Sequence, residues 1–199
     1  IGTSAGVKLA QLTFFLPGLC RAEIFLSVRT AYCRDQIHFR NINPMPSNPL
    51  SPVFNGLQPA IVWAHFATLC AIPRPSKGEA ELREHLKAWA EARGLQTFVD
   101  ATGNMIVRKP ASPGHEAAPS VLLQAHLDMV TQNNADRPHD FTRDPIEPVI
   151  QGDWLVADGT TLGADNGIGV AMMLAALEDK TLVHGPLEAL FTVDEEAVM

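Results

Sequence analysis

The segment from Ser120 to Ala125 is a run of strand length, apolar apart from Ser120 and Gln124, and it is followed at once by His126 and Asp128. A run without apolar–polar alternation implies a strand covered on both faces, as in sheets flanked by helices. The neighbouring pattern agrees. Apolar residues Ile61, Val62, Phe66, Leu69 and Cys70 recur at helical spacing between Gln58 and Cys70, and Pro73 and Pro75 end that helix. Ser76 followed by Glu79 has the form of a capping box, and Leu82, Leu86, Trp89 and Ala90 predict a second helix ending at Gly94. Gln96–Val99 and Asn104–Arg108 read as a hairpin turning at residues 100–103, and residues 110–119 as a surface loop. Further on, Trp154–Ala157 predicts a short strand, Asn166–Leu177 an apolar helix, and Leu187–Val193 another buried strand. Such alternation predicts an α/β domain, a mixed sheet flanked by helices.

The first fifty residues do not share this order. They lack a sustained period and end in the Pro/Asn/Ser-rich stretch Asn41–Pro52, so residues 1–53 are expected to be a disordered or non-native extension and residues 54–199 the folded part. The chain begins with Ile1, and its ends are expected not to be natural ones. A net charge of −7, with fifteen Lys and Arg scattered along the chain, argues against nucleic acid. Cys20, Cys33 and Cys70 form neither a disulfide framework nor a zinc knuckle, which fits a reducing compartment. The apolar stretch 9–28 is broken by Pro17, Arg21 and Glu23, so no membrane span is expected there.

Three constellations carry chemistry. In the first, the strand ending at Ala125 delivers an imidazole and a carboxylate two residues apart, which places His126 and Asp128 on one side of the chain at a sheet edge. Imidazole is a good zinc ligand, and a nearby carboxylate orients the ring and raises its basicity. The second, Gly159–Gly169, sets Asp165 among glycines just before an apolar helix. A helix cap would explain that acid; so would close approach to a bound group, since a carboxylate has two oxygens with which to bridge cations. The third is Asp194-Glu195-Glu196 after an apolar strand, where crowded like charges become tolerable beside a cation. A solvated acidic turn is the competing explanation. Strand alternation would point Glu195 and Glu196 to opposite sides, leaving one for metal and the other for protons.

Taken in order, His-x-Asp, Gly-Ala-Asp-Asn-Gly and Asp-Glu-Glu resemble the co-catalytic zinc aminoacylase and carboxypeptidase superfamily. Within it, LLQAHLDMV, HDFTRDPIEPVI, TTLGADNGIG and VHGPLEALFT are similar to the aminoacyl-histidine dipeptidases, also called cytosol non-specific dipeptidases, from about Phe54 to Met199. The resemblance implies a zinc-exopeptidase-like catalytic domain, here lacking its carboxyl-terminal part. It implies His126 as ligand of one metal, Asp165 as bridge and Glu196 as ligand of the second, with Glu195 as general base and Asp128 behind His126. Two Zn²⁺ ions would occupy the complete site, with Mn²⁺ or Co²⁺ as substitutes. The implied activity is hydrolysis of dipeptides, including Xaa-His types, in the cytoplasm, by an enzyme that dimerises. The sequence departs from the family at Asp194, where Thr is usual, and at Val198, where Gly is expected. A further acidic ligand and a distant histidine are expected beyond Met199, so the chain alone is expected to be inactive. An N-acyl amino acid deacylase shares every residue named, and an inactive metal-binding fragment is the remaining alternative. His38, His65, His85 and His115 are read as structural or solvated, His139-Asp140 has no role derived from the sequence, His184-Gly185-Pro186 reads as a loop preceding a strand, and Met172 and Met173 as helix packing.

Overall fold

The computed structural model describes residues 7–8 and 52–198. Most of the extension predicted at 1–53 therefore lies outside the described residues; within it, β1 (Val7–Lys8) pairs with a later strand. Helix α1 (Ala60–Ala71) follows a short turn, then α2 (Ala80–Glu91), the hairpin β2 (Gln96–Val99) and β3 (Met105–Lys109), and β4 (Val121–His126). A second hairpin, β5 (Pro148–Gln151) and β6 (Trp154–Ala157), precedes α3 (Ala164–Glu178) and β7 (Leu187–Thr192).

The main sheet runs β2-β3-β7-β4. β3 is antiparallel to both β2 and β7, whereas β4 lies parallel to β7 in a register that sets His126 beside Thr192. The smaller sheet runs β1-β6-β5. Parallel pairing needs a crossover, and the chain between β4 and β7 supplies it through the small sheet and α3. Both strands thus end on the same side, beside the start of α3. Phe66 of α1 and Phe191 of β7 are fully buried, and Leu174 of α3 is nearly so. The mixed sheet with covering helices is the α/β architecture read from the sequence.

Two local expectations are corrected. Ser76 and Glu79 form no capping box: no side chain caps α2, and both are drawn into tertiary bonds described below. The strand predicted at 120–125 is buried only toward its carboxyl end, with Leu122 48% exposed and Ala125 and His126 buried. Among the described residues β4 has one sheet neighbour, β7, so its other edge has no strand beside it. The hairpin β5–β6 had been read only in its second strand.

The helices are joined on their outer side by Glu178, which accepts from Arg93 Nη2 at 2.7 Å and meets His65 Nε2 at 2.9 Å. The His65 hydrogen bond, with help from Arg93 and against the effect of burial, holds the Glu178 carboxyl at about 2. An unfolded glutamate titrates near ~4.3. Because the folded value is lower, this stabilisation is complete above the unfolded value and fades as pH falls toward the folded one. Glu178→Gln should therefore flatten the loss of stability between about pH 4.5 and about pH 2, measured as urea midpoint against pH. Parallel acid limbs for parent and variant would refute that role.

Candidate metal centre

Three segments converge at the carboxyl ends of β4 and β7. The first is the end of β4 and the loop after it, where His126 is 5% exposed and Asp128 fully buried. The ring atom Nδ1 has acceptors on its side, the Asp128 carbonyl at 3.1 Å and Asp128 Oδ1 at 3.4 Å, so it carries the hydrogen and donates. Nε2 then points the other way, to Asp165 Oδ1 at 3.1 Å. Between an imidazole lone pair and a carboxylate there must be either a second proton or a cation.

The second segment is the glycine-rich turn. Gly163, in a left-handed conformation at φ +67°, is the residue flanking α3, and Asp165 and Asn166 depart from helical backbone although they lie in its first turn. The cap explanation for Asp165 does not hold: its carboxylate is directed at His126 and is exposed. Asn166, by contrast, is buried, and its Oδ1 has no partner among the described residues.

The third segment begins where β7 stops at Thr192. Asp194 takes φ +60°, a conformation a short Asp side chain tolerates, so the acidic residues are not strand residues with alternating faces. Instead the amide of Glu195 donates to Asp128 Oδ1 at 3.1 Å and that of Glu196 to Asp128 Oδ2 at 2.9 Å. This corrects the opposed-sides expectation: both glutamates start from one carboxylate. Glu195 Oε2 stands 4.0 Å from His126 Nε2. His126, Asp165 and Glu196 each offer one ligand atom, all within 4.8 Å of one another. One imidazole nitrogen and two carboxylate oxygens at that spacing are a donor set that suits Zn²⁺.

The charges are tuned accordingly. Burial would raise the Asp128 carboxyl, but hydrogen bonds from His126, Ser76 and the Glu196 and Glu195 amides outweigh it, and the group stays well below the carboxylate range. For His126, burial opposes the cation while Asp128 and Asp165 favour it, and the balance lies above the ordinary histidine value. Glu196 is pushed up, first by burial, and then by Glu195, Asp165 and Asp128 against the opposing effect of His126.

Reading the sequence alone did not single out Arg74, Ser76 or Glu79 as site residues. Ser76 Oγ donates to Asp128 Oδ2 at 2.7 Å, and Glu79, 4% exposed, accepts from the Asp194 amide at 2.9 Å. Their capping-box spacing masked this use, since the same two side chains fit a local role equally well. His139 and Asp140 lie elsewhere, where Asp140 organises its own loop through Thr142 and Arg143.

The chain is 54% identical over 143 residues to the cytosol non-specific dipeptidase of Escherichia coli, covering 72% of this chain and 30% of that protein. The crystal structure of an aminoacylhistidine dipeptidase from Vibrio alginolyticus superposes with a TM-score of 0.72 at 52% identity, over 73% of this chain and 30% of that one. An aminopeptidase PepT from Bacillus cereus superposes with a TM-score of 0.55 at 27% identity, over 69% and 37%. No family model matches the chain. The chain thus spans about 30% of the length of the dipeptidases it matches.

Replacing Asp128 by Asn exchanges one accepting oxygen for an NH₂ group. Either the Glu195 amide, if Oδ1 is exchanged, or the Glu196 amide together with Ser76 Oγ, if Oδ2 is exchanged, is then left facing another donor. A buried donor without a partner costs about 1–3 kcal/mol. Asp128→Asn should lower stability by that amount and speed hydrogen exchange at the amides of Glu195 and Glu196. Unchanged exchange at both amides would show that Asp128 does not hold this loop.

Proposed function

Since the chain belongs, by sequence and fold over some 70% of its length, to the aminoacyl-histidine dipeptidases, we propose that it is the metal-binding part of a dipeptide hydrolase. The observation that carries this reading is the convergence of His126, Asp165 and Glu196, with Glu195 alongside. Zn²⁺ is the preferred ion, two per complete site, with Mn²⁺ and Co²⁺ compatible with the same donors. His126 and Glu196 would each hold one ion and Asp165 would bridge them. The further acidic ligand and histidine would come from polypeptide beyond this chain.

Bound divalent cations supply charge for the developing oxyanion at the scissile carbonyl and acidify a water molecule to serve as nucleophile near neutral pH. The residues of this chain do the rest. Asp128 keeps hydrogen on Nδ1 of His126, so that Nε2 presents its lone pair toward the cations. Through its two oxygens the same carboxylate anchors the amides of Glu195 and Glu196, leaving both side chains free to enter the site. Glu195, exposed and 4.0 Å from the His126 ring nitrogen, would take the proton from the attacking water and return it to the leaving amine.

Substrates would be dipeptides, Xaa-His types among them. The peptidase relatives favour a peptide bond over the N-acyl bond cleaved by a deacylase with the same ligand residues. Among the described residues no helix is long and apolar enough to cross a membrane. A cytoplasmic enzyme is what the relationship to a protein named as cytosolic suggests, and a homodimer is part of the same proposal.

The test is zinc content together with hydrolysis of β-alanyl-histidine and Gly-Gly, in this chain and in a version extended to the length of its relatives. The extended protein should hold two zinc ions and cleave both peptides. Glu195→Gln should keep zinc and lose at least about 100-fold in kcat, as expected for a general base. An extended protein that retains zinc but cleaves only N-acyl amino acids would make it a deacylase, and one that binds no metal would refute the proposal.

A further inference from the structure

The link between α1 and α2 contributes no candidate ligand, yet it touches all three segments that do. Arg74 in this link is 2% exposed. Its Nη1 donates to the carbonyls of Leu127 at 2.9 Å and Asp128 at 3.2 Å, and Nη2 donates to the carbonyl of Gly163. Its own carbonyl accepts the amide of Met129 at 3.2 Å. The guanidinium therefore spans from the residue after His126 to a residue two before Asp165. Room for it is provided by glycine: a Cβ on Gly163 would collide with Nη2, and one on Gly167 would lie 2.7 Å from the same atom.

The rest of the link grips the acidic loop. Ser76 bonds Asp128 at 2.7 Å, the Lys77 amide donates to Asp194 Oδ1 at 2.8 Å, and Glu79 accepts the Asp194 amide at 2.9 Å. Lys77 itself adopts φ +67°, which turns its amide toward Asp194.

A purely structural tie would not need this residue type. Among the described residues every hydrogen bond of the Arg74 guanidinium goes to a carbonyl, and Nε has no partner. Burying a cation in that way is costly, and an apolar side chain of similar volume would fill the space at lower cost. What arginine adds is a rigid planar fork whose two arms reach two different chain segments at fixed spacing. Burial pulls its pKa down to about 10, against the effects of Cys70 and Asp128, so at neutral pH it still carries its positive charge into an acidic site.

We propose that Arg74 is a positioning residue of the metal centre: its guanidinium clasps the His126 strand end to the Asp165 turn and so sets the spacing of their ligand atoms. Ser76 completes the device by fixing Asp128, and with it the start of Glu195 and Glu196. This inference rests on the metal reading above.

The experiment uses the 199-residue chain and Co²⁺, whose visible absorption reports ligand number and geometry. The parent should bind cobalt and His126→Ala should not. Arg74→Met and Ser76→Ala should each weaken cobalt binding at least about tenfold and alter the band shape, with Arg74→Lys recovering only part of the affinity because a lysine offers no fork. Leu86→Ala, in the core of α2, is the control for lost stability alone and should leave affinity and spectrum unchanged. Hydrogen exchange without metal provides a second reading: the Met129 amide in Arg74→Lys and the Glu196 amide in Ser76→Ala should exchange faster than in the parent. Cobalt affinity within twofold of the parent in folded Arg74→Met would overturn the proposal. Should that variant not fold, Arg74→Lys and Ser76→Ala decide by the same criterion. A parent that binds no cobalt leaves the metal reading to the extended protein, since two further ligands are expected from polypeptide beyond this chain, and the exchange rates then decide the positioning role by themselves, unchanged rates at both amides overturning it.

Discussion

A fully buried carboxylate must have its charge and lone pairs satisfied, and Asp128 is where that requirement shapes the molecule. Its two oxygens collect a hydroxyl from the α1–α2 link and two amides from the loop after β7, while Oδ1 also stands beside the His126 ring on its own strand. Two parts of the chain distant in sequence are thereby registered on the group that also fixes the end of β4. The register of β4 against β7 makes this feasible, because parallel strands paired as His126 with Thr192 end side by side. An antiparallel pair would have sent the two ligand-bearing ends to opposite edges of the sheet.

Much of this was legible in the sequence, for identifiable reasons. Strand and helix periods located α1, α2, β2, β3, β6 and β7, because each has a burial pattern that its own residues express. His126, Asp165 and the acidic pair could be read since each interrupts an apolar or glycine-rich segment with a group that segment does not need. Less could be read where a side chain serves another element. Ser76 and Glu79 have the spacing of a local cap, and nothing in the intervening residues announces that both will leave the helix for Asp128 and Asp194. Arg74 sits between two prolines that signal only the end of a helix. The exposure of Leu122 was equally hidden, since an apolar strand does not reveal how many neighbours the folded chain supplies.

The balance of charge gives the last step. Asp128, Asp165, Glu195 and Glu196 surround one imidazole, and Glu196 is pushed up first by burial and then by the three neighbouring carboxylates, against the opposing effect of His126. Asp128 is neutralised locally by amides, a hydroxyl and the ring. Arg74 adds positive charge, yet it lies behind the ligand-bearing loops and spends its hydrogen bonds on carbonyls. The three candidate ligand groups, His126, Asp165 and Glu196, therefore face one another with more negative charge than their surroundings compensate. Protons remedy this at low pH, and a divalent cation does so near neutrality without giving up the carboxylates as ligands. A site held in this form by a buried arginine and a buried aspartate would be organised before any ion arrives, an arrangement that favours geometrically selective binding.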